Sequence, residues 1–171
     1  VAGTSTGGII ALALGLGKST ASILKFYRED GKVVFPPRNA LGEAAHSVRK
    51  LFQPACDADV LSAILYREFG DQIVGQSTCR LAIPSFTIPK TAIAVIKTDH
   101  HRDYRKDWET AAWEAARATS AAPAFFEGHE SGGEIFLDGG VWANNPAMVA
   151  ITEAVSSYDI ELSQLSVLSI G

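Results

Sequence analysis

The feature that most constrains this chain is its first dozen residues, Val1-Ala2-Gly3-Thr4-Ser5-Thr6-Gly7-Gly8-Ile9-Ile10-Ala11-Leu12. Gly3-Thr4-Ser5-Thr6-Gly7 has the G-x-S-x-G form of a sharp turn between a strand and a helix. Glycine at both flanks leaves room for a backbone shape that side chains would obstruct. Ser5 then stands at the apex and at the N-terminus of the following helix. There the unpaired N–H groups and the positive end of the helix dipole favour negative charge on or near its oxygen. An acyl-transfer nucleophile requires that environment. The competing reading is a Gly/Ser-rich loop that produces the pentapeptide by chance. Against it stand the apolar, small-residue run from Ile9 to Leu16, suited to a helix buried behind the elbow, and an acid far downstream.

At 171 residues the chain is long enough for one domain with its own core. A net charge of −4 without a basic run argues against a nucleic-acid partner. Cys56 and Cys79 form no C-x-x-C, so neither a zinc site nor a disulfide framework is expected, and a reducing, cytoplasmic compartment fits. Ile9 to Leu16 is too short to span a bilayer and is interrupted by Gly15. Val1-Ala2 is too short to be the strand that feeds the elbow, and Leu165 to Ile170 reads as a buried strand cut at its tip. Residues 1–171 are therefore expected to be a single domain truncated at both ends, an internal piece of a longer protein.

Along the chain, Ser19 or Thr20 can cap a helix from Ala21 to Asp30, which Gly31 stops. Val33-Val34-Phe35-Pro36-Pro37 reads as a surface loop, because the prolines forbid a helix. Residues 38–56 suggest a lid or crossover with a short helix around Ala44 to Leu51. Asp57 or Asp59 caps a helix from Val60 to Phe69, ended by Gly70-Asp71. Arg80 to Ile88 and Ala92 to Lys97 read as two strands joined at Pro89-Lys90. Asp107 caps a helix from Trp108 to about Ala118, broken by Ser120-Ala121-Ala122-Pro123. Glu134 to Asp138 is a short strand, and Asn144 or Asn145 with Pro146 opens a helix to about Ser156. Strands alternating with helices predict an α/β fold, three-layered, with a mostly parallel central sheet flanked by helices.

Asp138 lies where a strand ends and Gly139-Gly140 turn the chain. In open α/β sheets chemistry collects at such carboxyl ends. An isolated Asp-Gly is an ordinary turn signal, but beside a serine elbow the carboxylate becomes the natural second half of a site. A serine hydroxyl needs a base, and none of His46, His100, His101 and His129 follows Asp138. The order Ser, acid, His of the α/β-hydrolases is therefore absent. His100 and His101 read as solvated loop residues and His129 as a turn residue. The simplest proposal is a dyad in which Asp138 takes the Ser5 proton directly.

Three stretches together resemble the patatin-like phospholipase domain family: Gly-Thr-Ser-Thr-Gly-Gly at 3–8, Arg-Ala-Thr-Ser-Ala-Ala-Pro-Ala-Phe-Phe at 117–126, and Leu-Asp-Gly-Gly-Val-Trp-Ala-Asn-Asn-Pro at 137–146. The resemblance covers nearly the whole chain. It implies a lipid acyl hydrolase, a phospholipase A or galactolipase-like esterase, working through an acyl-serine with no metal or other cofactor. Ser5 matches the nucleophile and Asp138 the dyad acid, with Gly3, Thr6 and Gly7 forming the elbow and Gly139 and Gly140 flanking the acid. It also implies a membrane or micellar lipid substrate, and it leaves room for peripheral membrane association and for regulatory domains fused outside these residues. The family's glycine-rich oxyanion loop would precede Val1. Thr6 N–H is then the one local oxyanion donor here, and these residues alone are expected to be feebly active or inactive while the longer protein is active.

Ile9, Phe35, Phe125, Phe126 and Trp142 are candidates to line an acyl channel, with plain core preferred for Ile9. Arg117 reads as a structural partner of carbonyls or a carboxylate. Two rival functions are a patatin-shaped module that binds lipid or protein without chemistry, and a general serine esterase or acyltransferase that uses a histidine. A histidine within hydrogen-bond reach of Ser5, with Asp138 far away, would favour the last.

Overall fold

A computed structural model describes residues 1–35, 55–88, 90–99, 101, 106–123, 125–158 and 160–170. The 36–54 segment, with its proposed lid, His46 and the two prolines, lies outside the described residues, as do Pro89, His100 and most of the polar loop after it.

Helix α1 (Thr6–Gly15) leaves the elbow and buries Ile9, Ala11, Leu12 and Ala13. Its residues are apolar nearly all round, and the face opposite the core leaves Ile10 and Leu14 exposed among the described residues. Helix α2 (Thr20–Glu29) is capped by Ser19, whose side chain accepts the Ser22 N–H. A single further turn, α3 (Gly31–Val34), follows at once. The expected loop over Val33 to Phe35 is therefore corrected: the N–H groups of Val33 and Val34 bond to Asp30 O and that of Phe35 to Gly31 O, ahead of the prolines. Helix α4 (Ala58–Phe69) is capped by Asp57, whose carboxylate accepts the N–H groups of Asp59 and Val60 at 2.8 and 3.2 Å. It ends at Gly70, whose positive φ of 55° suits glycine.

Strands β1 (Ala82–Ile88), β2 (Ala92–Lys97), β3 (His129–Ser131) and β4 (Glu134–Asp138) form one sheet in the order β2-β1-β4-β3. All three pairings are antiparallel. The α/β character agrees with expectation, and the mostly parallel direction does not hold among the described strands. Local chemistry decides this. β1 and β2 are joined across residues 89–91. β3 and β4 are joined by Gly132-Gly133, both at positive φ, as a two-residue hairpin requires. A parallel contact occurs where the chain enters the elbow, between Ala2 and Ala82.

Helix α5 (Ala112–Thr119) packs against α4, α1 and the sheet. It starts later than the expected Trp108, with Ala111 rather than Asp107 as its cap. The carbonyls of Trp108 and Thr110 are engaged by the N–H groups of Gly75 and Val74, and the Thr110 N–H bonds back to Asp107 O, so that stretch is a turn instead of the first turn of the helix. Leu12, Leu65, Phe69, Val74, Leu81 and Ile83 fill the core between these helices and the sheet.

After β4 come a short turn, α6 (Gly140–Ala143), and α7 (Ala147–Tyr158), whose first N–H is accepted by Asn145. Residues 165–170 are not a strand. They border α7 and Val1-Ala2 with no ladder partner among the described residues, and Leu168 and Ile170 are exposed. An extended segment becomes a strand only when a neighbour takes up its backbone groups.

Candidate active site

Ser5 adopts φ 56° and ψ −126°, an uncommon conformation for a residue with a side chain. Its neighbours hold it there. Its N–H donates to Thr119 Oγ1 at 3.0 Å, and its carbonyl accepts the N–H groups of Gly8 and Ile9 at 2.9 and 3.2 Å. Thr119 Oγ1 donates onward to Pro84 O at 2.6 Å, so one buried hydroxyl ties the elbow to β1. Close packing accounts for Gly3 of the elbow and for Gly8 in the first turn of α1. A Cβ on Gly3 would stand 2.1 Å from Gly7 O, and one on Gly8 would stand 2.6 Å from Thr119 Cγ2. Gly7, expected to share this role, has open space where its Cβ would be.

Asp138 ends β4 opposite Ser85 of β1. Its N–H donates to Ala121 O at 3.0 Å, and its side chain is buried. Gly139 allows the chain to pass β1, because a Cβ there would come within 2.3 Å of Pro84 O. The Gly140 N–H then donates to Asp138 Oδ1 at 2.6 Å. This leaves Oδ2 facing the elbow, where it accepts a hydrogen bond from Ser5 Oγ at 2.6 Å. The two residues farthest apart in the sequence argument are thus in direct contact. The first-turn N–H groups of Thr6 and Gly7 donate to no atom among the described residues, and the Thr6 carbonyl accepts the Tyr27 hydroxyl at 2.7 Å.

Three side chains that sequence reasoning did not single out complete the corner. Ser85, fully buried, donates to Leu137 O at 2.7 Å. Thr4 Oγ1 donates to Ala143 O at 2.7 Å, fastening α6 under the elbow. Thr119 is the third, and it lay within the 117–126 stretch already quoted, as a buried hydroxyl two residues past Arg117.

Ser5 opens into a cleft of about 900 Å³. Ile9, Phe26, Val34, Leu61, Phe125 and Phe126 supply apolar wall, with Phe35 at the rim. Four of the five channel candidates line it. Trp142 does not: its Nε1 donates to Ser85 O at 2.7 Å on the other side of the motif.

Neither described histidine contacts Ser5. His129 sits in β3 rather than in a turn, against Trp113 at 5.9 Å between ring centroids. Burial, helped by the Arg117 charge, pushes its pKa down to about 4. His101 borders a separate polar cleft with Arg80, Asp99 and Trp108. Arg117 is buried and donates to Glu127 O at 2.8 Å, the structural role expected of it. Among the described residues no cluster of His, Cys, Asp and Glu could hold a metal ion, and no helix is long and apolar enough to cross a membrane.

The fold thus brings an elbow serine, a strand-end aspartate and an apolar cleft together. The chain belongs to the patatin-like phospholipase family, whose model matches residues 1–151. It is 31% identical over 183 residues to the cGAMP-activated phospholipase of Escherichia coli (strain TW11681), a match covering 100% of this chain and 49% of that protein. A cGAMP-activated phospholipase of Vibrio cholerae serotype O1 is 28% identical over 182 residues, covering 100% and 51%. Patatin-like protein 2 of Oryza sativa subsp. indica is 29% identical over 177 residues, covering 94% and 43%. The chain spans about half the length of these curated relatives.

Proposed function

We propose that the protein hydrolyses acyl esters of lipids through a Ser5–Asp138 dyad. The observation that carries this is the 2.6 Å contact from Ser5 Oγ to Asp138 Oδ2, made with no imidazole between them. Ser5 Oγ attacks the ester carbonyl carbon while its proton passes to Asp138 Oδ2. The tetrahedral oxyanion forms next to the N-terminus of α1, where Thr6 N–H is available to it. The carbonyl re-forms, the alcohol leaves with the proton from Asp138, and an acyl-serine remains. Water, deprotonated by the same carboxylate, then releases the fatty acid and restores Ser5. The Gly140 N–H on Oδ1 fixes which carboxylate oxygen meets the serine.

Acyl chains suit the cleft, because its described lining carries no Asp or Glu and is largely apolar. Activation by cGAMP is stated in the names of the two bacterial relatives, and we extend it to this protein as part of the same proposal. A fluorophosphonate probe on the full-length protein tests the chemistry. Labelling at Ser5, lost in Ser5→Ala and accompanied by ester hydrolysis, is the expected result. A protein that binds lipid, takes no label and turns over no ester would instead be the non-catalytic module.

A further inference from the structure

We propose that the rim of the Ser5 cleft formed by α2, α3 and Phe125 is the face on which the protein docks to an anionic lipid bilayer. The inference rests on the lipid-hydrolase reading and names the surface that presents the cleft to its substrate.

The charge pattern of α2 and α3 carries the argument. The two acidic residues at their junction are already engaged: Glu29 by Lys25 at 3.9 Å and Asp30 by Arg67 at 2.6 Å. Arg28 and Lys32 are exposed, line the mouth of the cleft and form no ion pair among the described residues. This local positive charge runs against a chain whose net charge is −4. Apolar side chains stand beside these cations. Val33 is 59% exposed, Phe35 48% and Phe125 47%, while Val34 and Phe26 next to them are buried. The single turn of α3 thus sends Val34 into the core and Val33 outward. The rings of Phe35 and Phe125 meet edge to face at 6.0 Å, which joins the two sides of the rim. Exposed apolar side chains among cations match the interfacial layer of a bilayer, where acyl carbons lie just below anionic headgroups.

Each basic side chain close to such a surface strengthens binding by about fivefold, so the pair is worth about thirtyfold. The full-length protein carrying Ser5→Ala, which leaves vesicles intact, is sedimented with vesicles of phosphatidylcholine alone or mixed equally with phosphatidylglycerol. The expected result is tighter binding to the mixed vesicles, weakened by salt. An added Arg28→Gln/Lys32→Gln pair lowers binding to the mixed vesicles about thirtyfold and leaves the phosphatidylcholine vesicles unaffected. Val33→Asp weakens binding to both, with circular dichroism reporting an unchanged fold. Lys90→Gln, in the β1–β2 turn outside the cleft, has no effect.

The proposal is overturned if the double variant binds like its parent, or if Lys90→Gln weakens binding as much. A double variant that changes the oligomeric state and not the vesicle binding would also overturn it, marking the face as a contact between protein chains. Vesicle binding is read without turnover, so a wild-type protein inert on every ester yet binding in this pattern would remove the catalytic reading and leave the docking face standing.

Discussion

Two polar corners lie on either side of α5, and they are built in opposite ways. On one side Thr119 accepts from Ser5 and donates to Pro84, and both carboxylate oxygens of Asp138 have donors. On the other, Arg117 uses one guanidinium nitrogen on Glu127 O, while its Nε and second terminal nitrogen are buried without a partner. His129 Nε2 is buried without a partner as well. Arg117 and Thr119 are two residues apart on one helix, so their side chains leave it on different faces. The satisfied corner fixes Ser5 Oγ and Asp138 Oδ2 within one hydrogen bond. The unsatisfied corner holds charge away from water at a cost in stability, and burial lowers the Arg117 pKa. Buried polar groups here are worth keeping for what they position in the first case, and are merely tolerated in the second.

Substitutions can break that contrast, beginning with the largest effect. Ser5→Ala should lower kcat for ester hydrolysis by on the order of 10⁶, and Asp138→Asn by about 10⁴, in the full-length protein. The asparagine still accepts the Gly140 N–H but cannot take the serine proton. Near-normal turnover in either variant would show that the satisfied corner is scaffolding only.

The pH dependence of the other corner comes next. His129 binds its proton near pH 6.5 when unfolded and near pH 4 when folded, so between those values the unfolded chain takes up a proton that the folded chain refuses. Stability is full above about pH 6.5 and falls as pH drops toward 4, by at most about 3 kcal/mol. His129→Leu should flatten that part of the curve in denaturant titrations at several pH values. An unchanged slope would mean that other groups carry it.

Thr119→Val leaves the Ser5 N–H and Pro84 carbonyl unpartnered. It should cost about 2 kcal/mol of unfolding free energy, together with a drop in kcat at unchanged KM. Arg117→Met removes two orphan donors and a desolvated charge in exchange for one hydrogen bond. Its stability should stay within about 1 kcal/mol of wild type. If Arg117→Met proved the costlier of the two by chemical denaturation, the contrast between the corners would be reversed.

Much of the site could be read in advance because its grammar is local. The G-x-S-x-G elbow around Ser5 and the Asp138-Gly139-Gly140 turn each show in a few adjacent residues, although the close approaches that require Gly8 and Gly139 come from Thr119 and Pro84. The β1–β2 hairpin and the Asp57 cap were legible for the same reason. Thr119 and Ser85 were not, because a hydroxyl in an apolar stretch looks alike whether it is buried against a carbonyl or turned to water. β3 escaped notice because three residues before a Gly-Gly turn carry too little pattern, and that mistake also made a turn residue of His129. The late start of α5 depended on Gly75 and Val74 capturing carbonyls from far along the chain. The antiparallel pairing of the described strands was not legible because alternation of helices and strands says nothing about which ends are tied by short hairpins.

The missing side chains at Gly3 and Gly8 have a consequence for how relatives of this protein can diverge. With clearances of 2.1 Å to Gly7 O and 2.6 Å to Thr119, nothing larger can be accommodated behind Ser5 without displacing it. On the proposed function, new preferences are written on the opposite wall, at Leu61, Phe35, Phe125 and Phe126, where no such clearance binds Ser5. A directed-evolution library confined to those four positions would explore chain length and shape while the chemistry stays constant, whereas one seeded behind Ser5 would return mostly dead protein.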